Sequence, residues 1–424
     1  MIGLLLLFAA ALVLITVASV YLRTPPFFTL IGAALFYGLV AGMSPDTVFL
    51  AMLAGLGRVF AAFAIIILCG AVIGKTLHEQ GQIQDLVSDL NRRVKSPRGL
   101  AGLSGYIFAL PTTCCITAFV MLTPILESLG KSGKGSRDLL YLAAAGSVIS
   151  YTLVYPTPVT IPLVNTLGND LSPLAFDLVA LPVSLIVLGA LVAAFRLRNA
   201  GTGIGDDAAP GAVREEDKGI HWRAWAPFIA VVLAIPVGAL VFHLSHGSLI
   251  QAIMLAGAAT AAALAAPAAR VAGLQQGTRH AGVIMFDICG AGALGEVIVQ
   301  SGFAGSALPL ITAAIPLVLV PFVITALIQA AQGSRVVTAV IAAQVLGGTA
   351  IASALHPLPL LLSVAAGTCV VSYVTDPYFW LLERTTGERL ANVVRSYTLP
   401  LAAAGLAILL VAVGLSLLLP TAPL

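Results

Sequence analysis

Long apolar stretches of this chain contain the charged residues Arg335, Asp287 and Asp376. An unpaired guanidinium in hydrocarbon is costly, so an intramembrane arginine is a functional candidate by default. The planar fork of N–H donors on Arg335 matches the two oxygens of a carboxylate. We therefore predict that Arg335 binds the carboxylate of an organic anion. The alternative is an ion pair with Asp287 or Asp376.

The two acids stand in different contexts. A carboxyl group at membrane depth can load and release a proton. Asp287 lies inside an apolar run and away from a helix start, which predicts an ion-coupling role, with a salt bridge as the alternative. Asp376 stands before Pro377, a common helix start, so we predict a role in substrate and ion binding, with helix capping as the alternative.

Polar interruptions break four of the apolar stretches. Non-helical backbone at membrane depth survives only where protein or a water-filled cavity satisfies it. Each break also presents a helix N-terminus, whose free N–H groups attract anions. The predicted substrate-binding residues at the four breaks are Thr112, Thr113 and Cys114, then Tyr155 and Thr157, then Gly333, Ser334 and Arg335, and last Asp376. The alternative is that the breaks are kinks filled by neighbouring helices.

The breaks recur in a sequence repeat. Residues 144–156 align without a gap on residues 365–377, about 221 residues on, and Thr117 aligns on Thr338. A twofold membrane protein with interrupted segments at matching places is typical of a secondary transporter, whose site forms where the repeats meet.

Composition excludes most other classes. Hydrophobic residues make up 59% of the 424 residues and charged residues 9%, so the chain must lie largely in lipid. The net charge of +3 gives no reason to expect a nucleic-acid partner. The apolar stretches hold no nucleophile, base or metal-ligand constellation, so we predict no enzyme activity, no bound metal and no cofactor. The five cysteines are predicted to be free thiols.

Two runs, 98–130 and 307–350, are too long for one crossing and too short for two. Basic clusters on both sides of the first run favour a re-entrant hairpin, because both clusters belong in the cytoplasm. The resulting prediction is an all-α polytopic membrane protein with about ten transmembrane helices, two re-entrant hairpins and two broken helices. It has a first repeat (1–198), a cytoplasmic linker (199–223) and a second, inverted repeat (224–424), with both termini extracytoplasmic.

The segment from Asp376 to Leu382, followed by Thr386-Gly387-Glu388, resembles the D-P-G-F-W-L and T-I-G-E signatures of the gluconate:proton symporter (gluconate permease) family. Residues 108–110, 119–122 and 290–302 resemble further family segments in the same order. The resemblance implies an ion-transporter-superfamily fold, proton-coupled uptake of sugar acids or other small carboxylates, and a homodimer. The chain departs from the family at Pro111–Cys114, where the family has F-Y-E, and at Tyr155, where it has histidine.

The sequence as a whole predicts a symporter in a bacterial or archaeal inner membrane. It would import a small organic anion, such as gluconate or a related sugar acid or hydroxy acid, by alternating access driven by the proton gradient. A sodium-coupled carrier of dicarboxylates or other carboxylates is the alternative, because hydroxyls and backbone carbonyls at the hairpin tips suffice to hold sodium.

Overall fold

The computed structural model describes residues 2–94, 96–129, 134–168, 171–199, 219–373 and 375–419. In these residues the regular backbone is helical throughout and no strand forms. Six of the described helices are long and apolar enough to cross a membrane, and shorter apolar helices of 10–17 residues accompany them. The predicted all-α membrane fold is confirmed, whereas the number of about ten crossings and the inverted repeat stay predictions.

Helices of the first half alternate between long and short. They are α1 (Ile2–Val20), α2 (Pro26–Val40), α3 (Pro45–Glu79), α4 (Gln82–Arg93), α5 (Pro97–Thr112), α6 (Cys115–Leu129), α7 (Lys134–Leu153), α8 (Thr160–Leu167) and α9 (Pro173–Asn199).

The described residues of the second half form eleven helices and two π-helical turns, Val237–Val241 and Val394–Thr398. The helices are α10 (Trp222–Pro236), α11 (His246–Leu264), α12 (Pro267–Gln300), α13 (Phe303–Ala314), α14 (Leu319–Gln332), α15 (Arg335–Leu346), α16 (Ala350–Ala354), α17 (Pro357–Val370), α18 (Pro377–Thr386), α19 (Leu390–Val393) and α20 (Leu399–Leu418).

Proline and capping side chains set where several of these helices begin. Proline is the first residue of α5, α17 and α18, a position at which its missing N–H costs nothing. The residue before each proline caps the helix through its side chain: Ser96 accepts from Gly99 N–H, His356 from Leu358 N–H and Asp376 from Tyr378 N–H.

Two pairs of helices occupy the predicted hairpins. Helix α5 packs on α6 across a break at Thr113 and Cys114, and α14 packs on α15 across Gly333 and Ser334. The second pair is shorter than the predicted run 307–350, because α13 is a separate helix and Pro316 lies in the gap before α14. Whether either pair re-enters the membrane from one side stays a prediction.

The other two breaks interrupt the predicted broken helices. Residues 154–159 separate α7 from α8, and residues 371–376 separate α17 from α18. Polar side chains bond to the backbone that the helices leave unpaired: Asp177 accepts the Tyr155 N–H, and the Thr398 hydroxyl donates to the Ser372 carbonyl.

The chain forms two compact units, and each draws segments from both halves of the sequence. Unit 1 comprises 1–61, 152–187 and 286–424, and unit 2 comprises 62–151 and 188–285. In unit 1, α17 packs against α14 and α20, and α8 packs against α15 and α17. In unit 2, α4 packs against α5, α6 and α10. Most of the predicted linker, residues 200–218, lies outside the described residues.

Candidate functional site

Arg335 is the first residue of α15, and its side chain is only 4% exposed. Its Nη2 donates hydrogen bonds to Ser372 Oγ at 2.6 Å, to Asp376 Oδ2 at 3.1 Å and to Tyr397 OH at 3.2 Å. These partners come from the break before α18 and from the π turn before α20. The guanidinium therefore joins the tip of the second helix pair to two other irregular segments of unit 1.

Asp376 performs two tasks with its two carboxylate oxygens. Oδ1 accepts the Tyr378 N–H at 2.9 Å, which caps α18 and confirms the predicted helix start. Oδ2 accepts the Tyr397 hydroxyl at 3.1 Å and bonds to Arg335. The ion pair weighed as an alternative for Arg335 is thus present. Because Asp376 is 1% exposed, its charge compensates a cation that water cannot reach.

Gly333 allows the α14–α15 tip to lie against the break between α17 and α18. It adopts a left-handed φ of +72°, and a Cβ at this position would lie 2.0 Å from the Thr375 carbonyl oxygen. Thr375 Oγ1 also donates to the Ala330 carbonyl at 2.9 Å. Only glycine permits both the turn and this backbone approach. The predicted residues Gly333, Arg335 and Asp376 therefore form one cluster. Ser334 is half-buried beside them and does not cap α15 through its side chain.

Ser372 and Tyr397 belong to this cluster although sequence reasoning missed them. Ser372 lies inside the fourth break, and its hydroxyl is one of the polar groups that mark this break in the sequence. Tyr397 lies in an otherwise unremarked segment, and no spacing links it to Arg335. Its position in a π turn is the structural signal, since such turns are frequent at functional sites.

The break between α7 and α8 uses a different acid, Asp177 of α9. Asp177 Oδ1 accepts the Tyr155 N–H at 2.9 Å. Thr157 is fully buried, and its N–H and hydroxyl both lie 3.0 Å from Thr160 Oγ1. The sequence repeat does not reveal Asp177, because Asp177 lies in α9, outside the aligned segment 144–156. In the matching break, the Thr398 hydroxyl donates to the Ser372 carbonyl.

The tip of the first predicted hairpin, Thr112 to Cys114, lies in unit 2. Thr112 Oγ1 donates back to the Phe108 carbonyl at 2.7 Å and lies 3.2 Å from the Cys114 carbonyl. Thr113 adopts a left-handed φ of +48° and is fully buried. Its hydroxyl has no hydrogen-bond partner among the described residues. One turn into α6, Thr117 Oγ1 lies 2.7 Å from His280 Nε2 of α12.

This tip packs closely against two glycines of α3. A Cβ at Gly70 would lie 2.3 Å from Thr113 Cγ2, and one at Gly74 would lie 2.9 Å from Thr112 Cγ2. The triplet Cys-Gly-Ala occurs twice in the sequence, at 69–71 and at 289–291, and the first tip packs on the first copy. Its counterpart at Cys289-Gly290-Ala291 contacts Leu30 and Phe27. All five cysteines are free thiols, as predicted.

Asp287 is half-buried in α12 and accepts a hydrogen bond from the Phe27 N–H, in the first turn of α2. Because Pro25 at the start of α2 offers no capping side chain, Asp287 supplies the missing acceptor. The predicted ion-coupling role of Asp287 stays a prediction beside this structural one.

Sequence comparison gives a family. The model of the family described as GntP family permease matches residues 3–266 and 245–418. The low-affinity gluconate transporter of Escherichia coli K12 is 24% identical over 427 residues, which cover 92% of this chain and 94% of that one. The D-serine transporter DsdX of the same organism is 26% identical over 428 residues, 92% of each chain.

A solved structure shares the fold. The Neisseria gonorrhoeae protein MtrF, described as illuminating a class of antimetabolite efflux pumps, superimposes with a TM-score of 0.62. The match covers 94% of this chain and 97% of that one, at 17% sequence identity. The likeness establishes a shared fold and nothing about function or substrate.

Proposed function

This chain belongs to the GntP family of permeases, and on that premise we propose that it is a secondary active symporter for a small organic acid. The substrates proposed are gluconate or a related sugar acid or hydroxy acid, imported by alternating access. The observation that carries the proposal is the buried Arg335, held at the tip of α14–α15 by Ser372, Asp376 and Tyr397.

Arg335 is suited to a substrate carboxylate because its guanidinium is already oriented and desolvated. Ser334 and the first N–H groups of α15 lie beside it and add donors for the same anion. In the structure, the Asp376 carboxylate occupies the place of an anion beside Arg335. We propose that the substrate carboxylate takes over this contact when the tip separates from the break.

The same arrangement supports the proposal of proton coupling. Asp376 is the first proposed coupling group, because its carboxylate would lose its counter-charge when the tip separates from the break. Asp287 is the second proposed coupling group. Sodium coupling is the competing possibility, since the buried Thr113 hydroxyl has no partner in the described chain and could serve as a sodium ligand.

The proposed setting follows from the family and the charge distribution. Bacterial relatives include an Escherichia coli protein named as an inner membrane permease, so we place this multi-pass chain in a cytoplasmic membrane. We propose that both termini face outward, that the protein is a homodimer and that it carries no cofactor.

Uptake into proteoliposomes tests the proposal. Labelled gluconate should accumulate under an inward proton gradient and not under a sodium gradient alone. Arg335→Ala should abolish binding, whereas Arg58→Ala should not, although Arg58 also forms an ion pair, with Glu296 at 2.7 Å. Asp287→Asn should abolish uptake driven by a pH gradient and leave exchange at equal concentrations intact. Uptake that follows sodium and ignores pH would replace proton coupling by the sodium alternative.

A further inference from the structure

Three buried polar groups near Arg335 have no hydrogen-bond partner in the described part of the chain. They are the amide oxygens of Gln329 and Gln332 in α14 and the hydroxyl of Thr338 in α15. Gln329 and Thr338 are fully buried, and Gln332 is 5% exposed. Such groups are rare in folded proteins, because a buried acceptor without a donor loses its hydration and gains nothing in return.

Their positions point to the tip of α14–α15. Gln329 Nε2 donates to the Gly333 carbonyl at 2.9 Å, so the amide of Gln329 lies at the tip and its orientation is set by that bond. Gln332 is the last residue of α14, three positions before Arg335. Thr338 follows Arg335 by three residues and therefore shares its face of α15.

The amide oxygens of Gln329 and Gln332 limit which kind of group can pair with them. An amide oxygen needs a hydrogen-bond donor or a cation, and a cation beside the guanidinium of Arg335 would be repelled. A neutral donor remains. In an acid whose carboxylate contacts Arg335, the groups beside the carboxylate that could donate are hydroxyls on the adjacent carbons.

We infer that Gln329 and Gln332 determine specificity by accepting hydrogen bonds from hydroxyl groups next to the substrate carboxylate. This inference rests on the proposed function, since it requires a carboxylate at Arg335. A site built to bind a hydroxyl discriminates strongly against an analogue that lacks it, because its own polar groups are then left unpaired. The tip therefore selects 2-hydroxy acids over unsubstituted acids of the same length.

Binding calorimetry on the purified full-length protein tests this with two matched pairs of acids. The pairs are gluconate with 2-deoxygluconate, and lactate with propionate. Wild type should bind each hydroxylated member roughly tenfold to a hundredfold more tightly than its partner. Gln332→Leu, which keeps the volume and removes the acceptor, should lower that ratio by about tenfold or more, without weakening the deoxy acid.

Gln344→Leu is the matched control. Gln344 also has an amide oxygen without a partner in the described chain, but it lies nine residues along α15, about 13 Å from the tip. Its variant should keep the wild-type ratio. If Gln332→Leu does not fold, Gln332→Met provides the same removal of the acceptor.

The outcomes separate the inference from the proposed function. Equal wild-type affinities within both pairs, or an unchanged ratio in Gln332→Leu, would overturn the inference and leave carboxylate binding in place. If none of the four acids binds, and Arg335→Ala behaves as wild type in the same assay, the proposed function fails and the inference with it.

Discussion

Arg335 and Asp376 lie 3.1 Å apart as a fully buried ion pair that joins the first residue of α15 to the N-cap of α18. Both residues lie at a break between helices, and Asp376 lies in the segment 365–377 that the sequence repeat aligns on 144–156. A buried pair of this kind adds little net stability, because desolvation of two charges offsets their attraction. Its value is that it holds a desolvated cation in place and closes the tip over the break.

Removing one partner should therefore be worse than removing both. Arg335→Ala or Asp376→Asn leaves an uncompensated buried charge and should destabilise the protein by about 3–5 kcal/mol. The double variant Arg335→Gln with Asp376→Asn keeps neutral hydrogen-bonding groups and should recover most of this loss. Melting temperatures of the purified proteins, followed by intrinsic fluorescence, measure the difference.

Gluconate binding should stay lost in the double variant even though its stability recovers. The double variant lacks the guanidinium, so we expect no calorimetric signal with gluconate although the protein is folded. A double variant that binds the acid as wild type does would rule out Arg335 as the carboxylate ligand.

Gly333→Ala should separate the second tip from the break. Its Cβ would lie 2.0 Å from the Thr375 carbonyl oxygen, a backbone atom that cannot move aside cheaply. Gly348→Ala is the control for backbone strain alone, since Gly348 has a similar φ of +69° but no atom within 4 Å of the added Cβ. We expect Gly333→Ala to lower the melting temperature and transport, and Gly348→Ala to cost only about 1 kcal/mol. Equal effects of the two variants would show that contact with Thr375 does not matter.

Local composition was enough to predict the breaks and the bond by which Asp376 caps α18. Gly333 and Pro377 mark the edges of irregular backbone through rules that act within a few residues. Pro111 lies in the last turn of α5, just before the first break. The Arg335–Asp376 pair could be offered only as one of two pairings, because charge alone does not say which acid is near. Tyr397 and the Phe27–Asp287 bond could not be predicted, because they depend on which helices pack together.

Gly70→Ala should displace the first tip in the same way. The added Cβ would lie 2.3 Å from Thr113 Cγ2 and 3.0 Å from the Pro111 carbonyl oxygen. Gly57→Ala on the same helix meets no atom within 4 Å and should be neutral or slightly stabilising, by up to about 1 kcal/mol. Transport and melting temperature should fall for Gly70→Ala only. Full activity of Gly70→Ala would show that the α3 contact is not needed to hold Thr113.

Asp89 gives unit 2 a pH-dependent contact between α4 and the start of α10. It accepts the His221 N–H at 3.0 Å, the Trp225 Nε1–H at 3.0 Å and lies 2.9 Å from His221 Nδ1. Burial raises the pKa of Asp89, but hydrogen bonds from His221 and Trp225 outweigh it and hold the pKa below its usual value of 3.8. The ionised carboxylate is therefore favoured by folding.

The lowered pKa of Asp89 determines how the stability of the protein changes with pH. A lowered carboxyl pKa contributes stability that is present above pH 3.8 and is lost as pH falls through the lower value of the folded state. Asp89→Asn should therefore melt below wild type at pH 7, and the gap should close as pH falls below about 4. Asp85→Asn is the control, because the Asp85 carboxylate lies farther from the same histidine, at 3.9 Å from His221 Nε2. A gap that persists unchanged at pH 3 would contradict the assignment to Asp89 ionisation.

Substitutions of Asp177, which bonds to the first broken helix, can distinguish a structural role of this acid from a role in proton coupling. Its Oδ1 accepts the Tyr155 N–H, so Asp177→Ala leaves a half-buried backbone donor unpaired and should cost about 1–3 kcal/mol. Asp177→Asn retains an acceptor oxygen of the same shape and should restore most of that stability. If Asp177 serves only the backbone, Asp177→Asn should also transport at nearly the wild-type rate under a proton gradient. A stable Asp177→Asn that exchanges substrate but no longer accumulates it would instead make Asp177 a proton-coupling group, a role now proposed for Asp287 and Asp376.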